Sequence, residues 1–344
     1  MSKVYLVTCA NSGLGKETVK QLAALPTTAT VYLACRSFDK ATRAIKDLSE
    51  TVDTNKLQYL HFDASCSQAE IAKGVVTLQQ GQHSDNDHTT TTTTTRSLAS
   101  TPAKIDGIVM NAGGWGVDSS NRPIRPNGVI EMVQINLLGH IHLLEALQRQ
   151  SSLQDNCRLV YSGSENARGV LFGLIVPSPR FLHSTADSIQ QQLVSRTNIL
   201  LSYCAVKGLA ALYFAAFARQ QQQQQQYRVL TVSPGFTVGT AILEQPGAPL
   251  QLRMIPTMVK KVGLWLGIAH NVSVGARRYV EAVTGLWDER FQNGAFVASA
   301  RLVSGPVCDQ TELPSGQQYS DRKVQDLVYR VLRKYVDTDK MMER

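Results

Sequence analysis

Apolar positions in this chain alternate between two periods. Val4-Tyr5-Leu6-Val7-Thr8 is a β-rich run that begins almost at Met1. Cys9-Ala10-Asn11-Ser12 then turns the chain, Gly13-Leu14-Gly15 follows, and Val19, Leu22 and Ala23 recur at helical spacing. Further strand patterns lie at 31–34, 57–62, 105–110, 159–164 and 229–233, with helical patterns between them. Strand and helix alternating through residue 240 predicts an α/β fold with a doubly wound parallel sheet.

Two polar tracts interrupt the pattern. Residues 82–101 include seven threonines at 89–95, and Gln220 to Gln226 is a glutamine run. Low-complexity tracts of this kind predict disordered surface insertions. Residues 199–218 are apolar enough to suggest a membrane span. Lys207 sits in their middle, so a buried helix is predicted instead, and no membrane span.

Beyond Pro234 the pattern turns helical. Met254-Ile255-Pro256 leads into an apolar stretch at 258–268 that holds Trp265 and a Lys260-Lys261 pair. It reads as a lid or a core-packed helix, with contact to a membrane surface as a third reading. Residues 272–283 and 323–336 read as amphipathic helices, the latter a C-terminal brace. The division predicted is 1–240 as a nucleotide-binding domain that carries the chemistry. Residues 241–344 form a C-terminal helical substrate-pocket extension packed on it.

A strand, a glycine turn and a helix together make a phosphate site. Glycines let the backbone approach a pyrophosphate, and the helix N-terminus presents free N–H groups and a positive dipole end. Arg36 follows the second strand, about 20 residues past the glycines, where this arrangement meets an adenosine ribose. A guanidinium there suits a 2′-phosphate, which predicts NADP(H). Further on, Tyr203 and Lys207 are four apart, which places phenol and ammonium on one helix face. A nearby cation is expected to lower the tyrosine pKa.

These motifs together resemble the short-chain dehydrogenase/reductase family. Thr8 to Gly15 matches that family's Thr-Gly-x-x-x-Gly-x-Gly, except that Cys9 replaces the first glycine. Asn111-Ala112-Gly113, Asn136, Ser164, Tyr203 with Lys207, and Pro234-Gly235 follow in the family's order. Ala34-Cys35-Arg36 and Asn136-Leu137-Leu138-Gly139-His140 resemble the branch holding retinol dehydrogenases and light-dependent protochlorophyllide reductase.

The resemblance implies a Rossmann fold and a set of site residues. Thr8, Asn11, Ser12, Gly13, Leu14, Gly15, Arg36, Asp63, Asn111, Ala112, Gly113, Tyr203, Lys207, Pro234 and Gly235 would hold NADP(H). Tyr203 would be the general acid, Ser164 would polarise the carbonyl, Lys207 would tune Tyr203, and Asn136 would hold a water linking Lys207 to solvent. Ser162 is the alternative serine, on the same strand face as Ser164. Two departures stand out. Cys9 costs free energy if its backbone needs φ > 0. Ser164 and Tyr203 lie 39 positions apart, so residues 165–200 must loop out and return.

Composition narrows the rest. With 344 residues, 43% of them hydrophobic, the chain is long enough for one large domain with a substantial core. Net charge is +8, yet no dense Lys/Arg block marks a nucleic-acid surface. Six cysteines without a Cys-x-x-Cys pair, and histidines without zinc spacing, predict free thiols and no metal. The first strand at about residue 3 leaves no room for a cleavable presequence, so a cytoplasmic protein is expected, peripheral on membranes as the variant. The predicted partner is a small hydrophobic alcohol or carbonyl compound; monomer and homodimer both fit. The competing readings are a catalytically silent dinucleotide-binding scaffold or redox sensor, and a protochlorophyllide reductase-like enzyme.

Overall fold

The computed structural model describes residues 2–80, 104–116, 128–171, 174–175, 180–194, 199–222, 227–240, 263–301, 303–313 and 316–342. Five strands arise from the first half: β1 (Lys3–Thr8), β2 (Thr28–Cys35), β3 (Leu57–His61), β4 (Ile105–Met110) and β5 (Leu153–Ser162). A small hairpin follows, β6 (Val170–Leu171) with β7 (Leu174–Ile175). The remainder are β8 (Tyr227–Val232), β9 (Thr237–Val238), β10 (His270–Asn271), β11 (Phe296–Arg301) and β12 (Ser304–Asp309).

Eight of these strands form one sheet in the order β3-β2-β1-β4-β5-β8-β11-β12. Every neighbouring pair is parallel except β11 with β12. Val7 stands beside Leu33 on one side and Val109 on the other. The strand order therefore reverses between β1 and β4, and the C-terminal ends of these strands flank a crevice. That switch point is where open α/β sheets bind ligands.

Helices cover both faces. On one lie α1 (Gly13–Ala23) and α2 (Phe38–Leu48), whose Val19, Leu22, Ala41 and Leu48 pack with Val7, Val31 and Leu33. The other face is covered by α3 (Gln68–Gln80) and by a composite helix. The latter runs from α4 (Glu131–Val133) through a π-helical turn, Gln134–Leu138, into α5 (Gly139–Arg149). The excursion before Tyr203 holds a 3-10 turn at Glu165–Arg168, the β6–β7 hairpin and α6 (Ala186–Val194). Then α7 (Ile199–Gln222) crosses the second face. Its apolar 18-residue window would suffice for a membrane span by composition, but 83% of it is buried within the fold.

Both C-terminal helices expected from the sequence form, as α8 (Val272–Thr284) and α10 (Arg322–Met342); the short α9 (Gln317–Ser320) precedes the latter. Val280 and Val283 of α8 join the first face, and Val328, Val331 and Leu332 of α10 join the second. Beyond these helices, the C-terminal part supplies β11 and β12 to the main sheet. Phe296-Val297-Ala298-Ser299-Ala300-Arg301 is short and rich in small residues, so its strand signal is weak. The threonine tract, residues 223–226 of the glutamine run and the start of the lid stretch, up to 262, lie outside the described residues.

Candidate active site

At the end of β1 the chain is held open by two contacts from the end of β4. The Ala112 backbone N–H donates to Thr8 Oγ1 (2.7 Å), and Asn111 Nδ2 donates to the Thr8 carbonyl (3.2 Å). Gly13 has φ +52° and begins α1. Ser12, at its N-cap, makes no side-chain capping bond, and no acidic residue lies in the first turn. The helix end thus keeps its donors and positive potential for an anion. A Cβ on Gly15 would sit 2.3 Å from the Cys9 carbonyl oxygen and 2.8 Å from Asn111 Nδ2. Only glycine fits there.

Cys9 has φ +53°, the left-handed backbone that glycine adopts freely. Holding cysteine so costs roughly 1–2 kcal/mol. Burial raises its thiol pKa, against the pull of Arg36 and Lys40. Arg36 is largely exposed at the end of β2, its Nε 3.9 Å from Asp63 Oδ2. Lys40 was not singled out in the sequence, because it lies in the first turn of α2, beyond the motif.

The second half of the site grows from β5. Ser164 stands past the strand end and caps the 3-10 turn, accepting from Asn166 N (3.2 Å). Its hydroxyl also faces that of Tyr203, whose pKa it pulls down. Ser162 instead meets Tyr279 (Oγ to OH, 2.6 Å), so the two serines are separated in role. The Tyr203 ring lies against Trp115, centroids 4.5 Å apart. Lys207 is buried; its Nζ donates to the Ser162 carbonyl (2.9 Å) and to Tyr161 OH (3.4 Å).

Asn136 departs from expectation. Its carboxamide is spent on the loop behind the cavity: Oδ1 accepts from Gly114 N (3.1 Å), and Nδ2 donates to Gly114 O (2.7 Å) and Met132 O (2.9 Å). Its main-chain oxygen, freed by the π-helical turn, accepts from Tyr161 OH (2.6 Å). A protein hydroxyl thus bridges the Asn136 main-chain oxygen and Lys207. Nearby, His140 Nε2 donates to the Ala112 carbonyl (2.7 Å), and burial holds that imidazole neutral, its pKa pulled down to about 3.

The electrostatics also correct an expectation. Tyr203 was to be acidified by Lys207; burial instead raises its pKa, and only the Ser164 hydrogen bond opposes this. Lys207 Nζ lies 5.7 Å from the Tyr203 ring centre. Burial also pulls the lysine itself down to about 7. Desolvation disfavours both charged forms.

These groups line a cavity of about 200 Å³. Cys9, Ser12, Gly13, Leu14, Asn111 and Gly113 form one wall; Ser164, Tyr203 and Lys207 form another; Pro234, Gly235, Phe236 and Val303 close the far side. Thr8, Gly15, Ala112 and Asn136 stand behind these walls and brace them. Asn11, Arg36 and Asp63 lie around the β1 and β2 ends rather than in the cavity lining. A Cβ on Gly235 (φ +74°) would meet His270 Cε1 at 2.6 Å.

Sequence reasoning missed the cluster under the serine loop. Glu165 is buried and accepts from Arg168 Nε (2.7 Å) and Ser299 N (3.0 Å). Arg278, 3.8 Å from it, donates to the carbonyls of Ser233 (3.0 Å) and Gly305 (2.9 Å). This ties the serine loop to the Pro234-Gly235 loop. Among the described residues no group of three His, Cys, Asp or Glu side chains is placed to hold a metal ion.

A family model described as short chain dehydrogenase matches residues 3–176. The chain belongs to the short chain dehydrogenase family. Members of this family are oxidoreductases that bind a nicotinamide dinucleotide and act on small substrates. The short chain dehydrogenase/reductase dpchH of Colletotrichum higginsianum is 35% identical over 141 residues, 40% of this chain and 29% of that protein. Human retinol dehydrogenase 11 is 36% identical over 83 residues, 24% of this chain and 26% of its own. The chain thus matches under a third of the length of these two relatives. Among solved structures, an uncharacterized protein from Mycobacterium paratuberculosis has TM-score 0.62 at 16% identity, covering 97% of this chain and 93% of its own. That likeness concerns the Rossmann fold alone, the fold expected from the sequence.

Proposed function

We propose that this short chain dehydrogenase interconverts a hydrophobic alcohol and its aldehyde or ketone with NADP(H). The observation that carries the reading is one shared cavity. The Ser164–Tyr203 hydroxyl pair and Lys207 face it from one side, and the uncapped N-terminus of α1 faces it from the other. The cradle fits a dinucleotide: Gly15 admits no side chain, and Gly13 opens the turn with a left-handed backbone. Arg36, with Lys40 beside it, supports a 2′-phosphate rather than a free 2′-hydroxyl.

When bound, NADP(H) supplies or accepts the hydride. The residues of this chain handle the proton and the substrate oxygen. Ser164 donates a hydrogen bond to that oxygen, which strengthens as negative charge develops. Tyr203 transfers its phenolic proton to the same oxygen in reduction and takes it back in oxidation. Lys207, in its charged form, offsets part of the charge of the phenolate left behind. Leu14, Trp115, Phe236 and Val303 exclude water and favour an apolar substrate. The name of the human relative, retinol dehydrogenase 11, points to the same substrate class.

The test is NADPH fluorescence titration followed by turnover on a panel of retinoid, steroid and lipid-derived carbonyls. Tyr203→Phe is expected to keep NADPH binding and lose roughly 10²–10⁴-fold in turnover. Undiminished turnover in that variant removes Tyr203 from the chemistry. The strained backbone at Cys9 is the observation that favours a silent dinucleotide-binding scaffold. NADPH binding without turnover across the panel would support it.

A further inference from the structure

We propose that the turn 263–269 is a membrane-docking surface that seats in the headgroup region of an anionic lipid bilayer. Eight large hydrophobic side chains are exposed among the described residues, and four of them fall within ten positions: Trp265 (84%), Leu266 (54%), Ile268 (38%) and Val274 (47%). Scattered singly, exposed apolar residues need no explanation; grouped like this, they mark an interaction surface.

The turn is a built feature. Ile268 N and Ala269 N both donate to the Gly263 carbonyl (2.9 Å each), and Gly267 N donates to Leu264 O (3.2 Å). Gly267 takes φ +69°, which closes the turn, and Ser304 Oγ donates to its carbonyl from the β11–β12 hairpin. These bonds brace the turn from which Trp265 and Leu266 stand exposed.

Charge selects the occupant. Between Glu244 and Glu281 the sequence has no acidic residue; of the arginines the structure describes there, Arg278 is buried against Glu165 and Arg277 stands at the surface. Arg277 is exposed on α8, three residues from Val274 and so on the same helix face. An apolar prow with indole at its tip, with the exposed Arg277 on the adjoining helix and a net charge of +8 on the chain, complements a lipid surface carrying negative headgroups. A second copy of this chain, at net charge +8, would bring like charge to like.

The location gives the contact a use. His270, just past the turn, pairs through β10 with β9, and His270 N donates to Phe236 O (3.0 Å). Phe236 and Thr237 line the cavity. A bilayer seated on the turn would therefore lie one strand from the cavity wall, where an apolar ligand can pass without crossing water.

The experiment needs no turnover, so it is independent of the redox reading. The whole chain is mixed with vesicles of phosphatidylcholine alone, or of phosphatidylcholine with phosphatidylserine, and tryptophan emission is recorded. Trp115 and Trp287 are buried (3% and 4% exposed), so changes report Trp265. Water-like emission from the free protein, a blue shift with phosphatidylserine vesicles, and quenching by brominated lipid are expected. Added salt should weaken the shift. Trp265→Ser with Leu266→Ser should co-sediment at least about tenfold less while binding NADPH as before. Unchanged co-sedimentation of the double variant overturns the proposal. So does blue-shifted emission without vesicles: dependent on protein concentration, it means a second copy covers the turn; independent of it, the chain covers the turn itself.

Discussion

Tyr161 donates its hydroxyl hydrogen to the main-chain oxygen of Asn136 across 2.6 Å, and the same hydroxyl receives Lys207 at 3.4 Å. The lysine is thereby linked to the composite helix through a protein hydroxyl. The Tyr161 ring is fully buried and stacked on Phe214, centroids 4.8 Å apart, so the link is rigid.

Tyr161→Phe should keep the ring packing and remove the link. Lys207 then loses one of its two hydrogen-bond acceptors, which disfavours its charged form further. If reduction needs Lys207 charged, activity falls as pH rises through its pKa near 7. The variant's fall should come at lower pH, with turnover at neutral pH reduced about tenfold and NADPH affinity little changed. The unpaired Asn136 carbonyl should lower stability by roughly 1–3 kcal/mol unless a water enters. A pH–rate profile together with denaturant unfolding checks both parts.

Lys207 makes a separate claim on the cofactor-free protein. Its folded pKa, about 7, lies below the ordinary lysine value of 10.5. Between these values the unfolded chain binds the extra proton, so this residue makes stability rise with pH across that window. The slope is at most about 1.4 kcal/mol per pH unit. Below pH 7 the charged lysine is buried at full penalty. Lys207→Met should therefore stabilise the protein at pH 7, and the difference from wild type should shrink toward pH 10. Urea midpoints measured across this range test the sign.

Local spacing made much of this legible in the sequence. Thr8 to Gly15 lies on one strand–turn–helix unit, and Tyr203 with Lys207 on one helix turn, so their geometry follows from backbone periods. What escaped was contact between distant elements. Tyr161 meets Asn136 from another element, and Arg278 reaches Glu165 from the far end of the chain. The dielectric was equally hidden. Tyr-x-x-x-Lys implies an acidified phenol, yet both groups are buried and burial disfavours their charged forms. The strands β11 and β12 escaped because small residues carry little β signal.

Cys9 stands where its own backbone favours glycine. Cys9→Gly should relieve the left-handed strain and raise stability by about 1 kcal/mol, less the extra entropy glycine gains when unfolded. Cys9→Val, β-branched at φ +53°, should lose stability by more. Thermal midpoints of the three proteins give the order Gly, Cys, Val. The thiol also lines the cavity, so Cys9→Gly should tighten NADPH binding if the side chain crowds the ligand. Weaker binding in the glycine variant would mean that the thiol contributes a contact of its own.

Arg36 and Lys40 divide the cofactor question between them. Arg36 suits a bidentate grip, since its ion pair with Asp63, at 3.9 Å, is weakened by exposure. Lys40 lies in the first turn of α2, where its backbone N–H donates to the Ser37 hydroxyl (3.3 Å), and its ammonium, like the Arg36 guanidinium, pulls the Cys9 thiol pKa down. Arg36→Ala should weaken NADPH binding by roughly 10- to 100-fold and NADH little, because only a 2′-phosphate uses the guanidinium fork. Lys40→Ala should weaken NADPH less, roughly threefold to tenfold, and lower its salt dependence, since an ammonium acts as a point charge. Fluorescence titration of both cofactors against both variants decides it. Equal losses for NADPH and NADH in Arg36→Ala would assign the residue to the pyrophosphate or adenine instead, and the preference for the phosphorylated cofactor would fall.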